Sequence, residues 1–397
     1  MTMFLVIVKD IDRRSGFFTG EFMPKISVYQ KRRAALATWM AQNSIGLVII
    51  EDSENMRDPA LRYFCGHPSD GVLGICVTGD AVLSPWDEHL AARKADADVI
   101  IPFTKFDRSP VQAAAGIGAI LQVPANTRIE VPSRTSYPQF LRYIEAFSKN
   151  DVLCRENGVN QQIKKMRATK DDTEIATIRK ACKLTDEVIN AIEEGLTAGK
   201  FTTESEIALF VEKAAHDNGC EGTGFGTLSA GPARSFYIHA FPGYTSGEFG
   251  TNGLSILDFG LIYDGYTSDV TLTIARGTLE KKQNEMLETV QTVANQALAL
   301  YKADIPVCEA NRKADSIFQQ INREMPHALG HGVGLEAHEW PSVRSSADVS
   351  QVFAPGMVVT LEPGLYDAKL GGCRLENDVL ITETGNELLT NSRIIRL

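Results

Sequence analysis

Several segments in the last third of this chain look like buried strands, yet they carry charge where a buried strand carries apolar side chains. Asp258, Asp269, His331, Glu362 and Glu376 each interrupt an alternating or glycine-punctuated run. A carboxylate in such a run is costly to bury unpaired, so any fold that packs these segments must supply cations, arginines or hydrogen-bond donors to all of them. Four carboxylates and one imidazole are also the ligand set of a two-metal hydrolytic site.

In segment 255–273, Asp264-Gly265 between two alternating runs signals a hairpin. A four-residue loop puts Asp258 and Asp269 directly opposite, and a two-residue loop puts them one diagonal apart. Either register leaves both on one face, where like charges repel unless a cation sits between them. Alternatively, they are solvated acids on an edge hairpin. Segment 327–341 holds His327, His331 and His338, three of the seven histidines. Glycines at 330, 332 and 334 argue against a helix across His331 and predict a loop that can approach an ion. Segments 355–366 and 371–382 read as strands, with Glu362 on the face of Val358 and Thr360, and Glu376 on the face of Arg374. Arg374 is the candidate partner of Glu376 if no metal is bound. Hard carboxylate oxygens with one nitrogen favour a divalent pair, Mn first, with Fe, Co or Zn as alternatives, over a thiolate zinc site. Two such ions about 3.5–4 Å apart hold a bridging hydroxide as nucleophile and polarise a carbonyl. Amide hydrolysis is the obvious use.

The rest of the chain supplies a frame. A net charge of −10 and pI near 5.3 exclude a nucleic-acid footprint, and no stretch approaches the ~20 apolar residues of a membrane span. The opening apolar run has no basic flank or cleavage site and reads as a strand or ordered arm. Seven scattered cysteines without a CxxC pair argue for reduced thiols and a cytoplasmic protein. Residues 1–160 read as an α/β domain with a helix over 28–43 and strands at 47–50, 72–77 and 81–84; its His67 and His89 are lone histidines with no sign of chemistry. Residues 161–397 open on two amphipathic helices. The first is capped by Asp172 or Thr173, with a stripe through Ile175, Ile178, Ala181, Leu184, Val188 and Ile192. The second starts with a Thr203/Glu206 capping box. The class is α+β.

The motifs Asp258-Phe259-Gly260, Asp264 to Thr271, His327 with Gly330 to Leu335, His338-Glu339-Trp340-Pro341, Glu362 to Tyr366 and Arg374-Leu375-Glu376 together resemble the prolidase, aminopeptidase P and creatinase superfamily. Leu61 to Gly66 is similar to the accessory N-terminal domain of prolidases and creatinases. The resemblance implies a C-terminal pita-bread domain behind a smaller α/β domain, and cleavage of X-Pro bonds in small peptides. By it, Asp258 chelates one metal, Asp269 and Glu376 bridge both, and His331 and Glu362 complete the second; Glu362 also serves as general base. It gives His338 and His327 catalytic roles, makes His239 and Arg374 substrate-binding, and implies a homodimer. The alternative within the same fold is a creatinase-like or ectoine-hydrolase-like C–N hydrolase, or a lyase, acting on a small metabolite. A non-catalytic binding module has no need of these ligands. The chain departs from the family pattern at Thr271-Leu272-Thr273, where an arginine is common, and in 229–239, which lacks the usual Asn and Pro before the histidine.

Overall fold

The computed structural model describes residues 7–8 and 26–397, which form two compact units, Met1–Lys165 and Met166–Leu397. The expected N-terminal strand or arm lies outside the described residues apart from Ile7–Val8, which pair antiparallel with Val99–Ile100.

In the first unit, Ser27 and Gln30 close a reciprocal capping box that starts helix Val28–Gln42. The Val/Ile runs form strands Ile45–Asp52, Gly71–Cys76 and Ala81–Pro85 at the centre of a mixed seven-stranded sheet. Because helices cover the sheet, its strands are buried along their length and read as continuous apolar runs. Leu47, Ile49, Val72 and Val82 pack there against Ile117 and Tyr143.

The second unit opens on helix Asp172–Thr197. Its cap is Asp171, one residue before the expected position: Asp171 is extended and its carboxylate accepts from the Thr173 and Glu174 N–H groups. Helix Glu204–Asp217 starts at the Thr203/Glu206 box. Two further helices, Lys281–Leu298 and Val307–Gln320, bury Leu287, Val290, Ala314 and Phe318 in a core shared with Val359, Leu361, Cys373 and Val379.

Four sheets carry the acidic segments. Gly253–Phe259 pairs antiparallel with Val270–Arg276, with Asp258 opposite Thr271, and beyond it Ile262 pairs with Thr267 and Tyr263 with Tyr266. This is the two-residue register. Asp264 and Gly265 have φ of 45° and 82°, the left-handed pair of a tight hairpin, so Asp258 and Asp269 stand one diagonal apart. Gly330–Gly332 is extended rather than a loop: it lies between Glu339–Val343 and Val358–Leu361 in a five-stranded sheet. The glycines serve this close packing, since a Cβ on Gly330 would stand 2.0 Å from Thr360 O and one on Gly332 2.4 Å from Trp340 O.

The two last acidic segments are not single strands. Val358–Leu361 ends before Glu362 and the chain resumes as Gly364–Asp367; Gly371–Arg374 ends before Glu376 and resumes as Asn377–Ile381. Pro363 has no N–H for a ladder, and at both breaks the chain crosses from one sheet to another. The acids sit at these crossings. Among the described residues no helix is long and apolar enough to cross a membrane.

Candidate metal centre

The hairpin, the glycine strand and the two crossings converge. Asp269, His331 and Glu376 offer ligand atoms that all lie within 4.8 Å of one another. Glu362 Oε1 is 3.5 Å from His331 Nε2, and Asp269 Oδ2 is 3.9 Å from the same nitrogen. His331 Nδ1 lies 3.1 Å from Gly332 O, so its N–H donates to that carbonyl and the Nε2 lone pair faces the acids, as a metal ligand requires. Its backbone N–H donates to Thr360 Oγ1 at 3.1 Å.

Arg374 organises the other side. Its NH2 donates to Asp258 Oδ2 at 2.6 Å, and its Nε donates to Thr271 Oγ1 at 2.9 Å, whose hydroxyl in turn donates to Glu376 Oε2 at 2.7 Å. The expected Arg374–Glu376 pair is thus replaced by an Arg374–Asp258 pair, and Glu376 is reached through Thr271. Geometry decides this: Glu376 lies past the end of the strand that carries Arg374, bridged to Thr271. Behind the centre, the fully buried Asp378 accepts from the Asp269 N–H at 3.0 Å.

The electrostatics identify what the cluster lacks. Burial and then the neighbouring acids push the Asp269 and Glu376 carboxyls well above the carboxylate range. Burial raises Glu362 to about 8 against the pull of Arg374. Burial, with His338 beside it, lowers His331 to about 4 and keeps the imidazole neutral. Asp258 Oδ1 is buried with no hydrogen-bond partner among the described residues. Crowded carboxyls whose charged forms are disfavoured, an orphaned buried oxygen and an inward lone pair fit divalent cations, which supply the missing positive charge.

The histidines around this cluster differ. His327 Nε2 lies 3.0 Å from Tyr366 OH, and Tyr366 OH accepts from Arg374 NH1 at 2.8 Å. An arginine only donates, so the tyrosine hydroxyl gives its proton to Nε2, and the Nδ1–H of His327 is directed to Ala328 O at 2.8 Å. Burial lowers His327 to about 4. His338 is exposed, with its ring 4.2 Å from that of His331. His239 is also exposed, close enough to His327 and His338 to disfavour a second positive charge on either. The loop that carries His338 folds around Glu339, which accepts from Arg167 at 2.5 Å, Lys170 at 3.2 Å and the Leu335 N–H at 2.8 Å.

Reasoning from sequence passed over Thr271, Tyr366 and Asp378 as parts of the site. Tyr366 had a signal, because it closes the Glu362 to Tyr366 motif on the face of Gly364, but its partnership depends on the pairing of Gly364 with Arg374. Asp378 had one as well, an acid opening the apolar run of strand Asn377–Ile381.

Comparison with known proteins agrees with this geometry. Residues 176–383 match the model of metallopeptidase family M24. The chain is 33% identical over 372 residues to the Xaa-Pro dipeptidase of Pyrococcus furiosus, covering 91% of this chain and 98% of that protein. It is 31% identical to the Xaa-Pro dipeptidase of Pyrococcus horikoshii, covering 92% and 99%. The solved prolidase from Pyrococcus horikoshii superposes with a TM-score of 0.78 at 28% identity, over 92% of this chain and 99% of that one. An Xaa-Pro dipeptidase structure from Bacillus anthracis shares the fold at a TM-score of 0.79 and 23% identity, over 93% and 100%. With its α+β architecture, acidic cluster and matched length, the chain belongs to metallopeptidase family M24 and has the pita-bread fold.

Proposed function

We propose that this metallopeptidase cleaves the bond before proline in small Xaa-Pro peptides, with Asp258, Asp269, His331, Glu362 and Glu376 holding two divalent ions. The observation that carries the reading is the convergence of Asp269, His331 and Glu376, with Glu362 3.5 Å from His331, in a site where the buried Asp258 Oδ1 has no partner among the described residues. The similarity to Xaa-Pro dipeptidases over nearly the whole chain supports the substrate class.

Divalent ions bound there would supply Lewis acidity to the scissile carbonyl and lower the pKa of the attacking water. Glu362, which cations in the centre would leave ionised, takes the proton of that water as general base. His338 is exposed beside His331 and donates to the substrate carbonyl as negative charge develops on its oxygen. Arg374 orients Asp258 directly and Glu376 through Thr271. His327, held by Tyr366 and Ala328, passes a proton only if the Tyr366 contact opens. His239 binds the substrate from the rim.

Manganese is the proposed ion, on the strength of an oxygen-rich donor set with one nitrogen. Residues 1–160 are proposed as a creatinase/prolidase-type N-terminal domain, the protein as a homodimer, and the seven unpaired cysteines support a cytoplasmic location. All the proposed ligands are present, which favours the peptidase over a creatinase-like C–N hydrolase or lyase acting on a small metabolite.

Purified protein supplied with Mn should release free alanine and proline from Ala-Pro, and a chelator should abolish the release. An absence of turnover across a panel of Xaa-Pro peptides would overturn the assignment. Ala-Pro against Ala-Pro-Gly separates a dipeptidase from an aminopeptidase.

A further inference from the structure

The loop from Gly231 to Gly247 carries His239 and buries little apolar surface beyond Ala240, which packs with Leu228, Ala230 and Ile256. His239, Tyr237 and Phe241 all face solvent, Phe241 with 95% of its surface exposed. A loop with few buried apolar contacts opens easily unless polar contacts hold it. Here polar contacts hold it, and one carboxylate gathers its two ends. Glu204, 1% exposed, accepts the Gly231 N–H at 2.8 Å through Oε1. Through Oε2 it accepts Arg234 NH1 at 2.6 Å, the Thr245 N–H at 2.8 Å and the Thr245 hydroxyl at 2.6 Å. The Glu204 N–H donates to Gly247 O at 2.9 Å.

Both ends of the loop therefore close on one residue, in the manner of an Ω-loop. Glu204 is not needed to cap its own helix, because Thr203 and Glu206 already form the capping box there. Its hydrogen bonds go to the loop instead. The middle of the loop is fixed to the metal centre: Arg374 NH1 donates to Ile238 O at 3.0 Å, and Gly372 N donates to Ser235 Oγ at 3.0 Å. The same arginine holds Asp258.

We infer that Glu204 is the positioning residue for His239: it locks the 231–247 loop so that the imidazole is presented to the substrate, and thereby sets substrate affinity without contributing to metal binding. The inference rests on the Xaa-Pro peptidase reading for its substrate, and on the hydrogen bonds above for its mechanism. Glu204→Gln keeps the shape but replaces one accepting oxygen by an NH2 group that faces other donors.

The test is a double-mutant cycle on the Mn-loaded enzyme with Ala-Pro, joined to metal titration and hydrogen exchange. Glu204→Gln should lower kcat/KM about 10–100-fold, the scale set by losing a residue that orients a functional histidine, and mostly through KM. In a His239→Ala background the same change should cost less than about twofold, because coupled residues are not additive. Metal stoichiometry and affinity should match wild type, and the amides of 231–247 should exchange faster. Equal losses in both backgrounds, or a fall in metal content, would overturn the role.

If the wild type turns over no Xaa-Pro peptide, only the substrate reading fails. Loop exchange and the His239 Cε1 chemical shift still report on the lock. Both unchanged in Glu204→Gln would defeat the inference itself.

Discussion

Thr271 shows how much of this centre depends on a single hydroxyl. It accepts from Arg374 Nε and donates to Glu376 Oε2 while being wholly buried, so it links an arginine to an acid that the arginine does not hydrogen-bond itself. Thr271→Val keeps the shape and leaves a buried donor and a buried acceptor without partners. Metal affinity should fall about 10–100-fold, as for other groups that orient ligands, while Thr271→Ser should keep most of it. Calorimetric titration with Mn measures both. From the residue types alone Thr271 stood only at a departure from the family pattern, since a hydroxyl's value lies in what faces it across the sheet. Arg374 was visible, but its partner was not: Asp258 is 116 residues away in the chain, and the side chain nearest in sequence is not the one nearest in space.

The elements explain why charged residues tolerate these positions. Val358–Leu361 and Gly371–Arg374 each stop just before an acid, and the acid occupies the turn between sheets, where its carboxylate can point into the shared centre while its neighbours remain paired. Reading both segments as unbroken strands located the acids but not the crossings. Glu339 does for the His338 loop what these crossings do for the ligands. Burial raises its proton affinity, but Lys170 and Arg167 outweigh that and hold its carboxyl at about 2, against an ordinary value of 4.5. A depressed folded pKa means the stabilisation is complete above the unfolded value and is lost as pH falls through the folded one. Glu339→Gln should therefore cost roughly 3–5 kcal/mol at neutral pH, the scale of breaking a buried ion pair. The gap between variant and wild type should close as pH drops from about 4.5 towards 2, because the protonated glutamic acid then resembles the glutamine. Urea midpoints of metal-free protein across that window check the sign; a gap constant with pH would show that Glu339 acts through packing alone.

At the level of the whole molecule, the five proposed ligands all belong to the Met166–Leu397 unit. Cations that bind only the folded state stabilise it by about 2.7 kcal/mol per site at a hundredfold excess over Kd, and here they also relieve crowding among carboxyls. Removing them with a chelator should lower the melting temperature of the second unit by on the order of 10 °C and leave the first unit's transition in place. Scanning calorimetry with and without Mn resolves this. Much of this architecture could be read from the chain. Apolar periodicity marks the helices at 172 and 204, and the three central strands of the first unit lie within a residue or two of where the Val and Ile runs end, whereas the short strands Val99–Ile100, Arg128–Glu130 and Asp151–Leu153 carry too few residues to show a pattern. The hairpin turn is written in Asp264-Gly265, because few other pairs accept two left-handed residues in succession. Residue types also marked which side chains were too costly to bury without a cation. Tertiary structure alone decided the two-residue register that sets Asp258 and Asp269 on a diagonal, the partnership of Arg374 with Asp258, and the enclosure of His327 by Tyr366. Local preferences act through neighbours in the chain, whereas hydrogen bonds and charges are settled by distance in space, and only the packed sheets fix those distances.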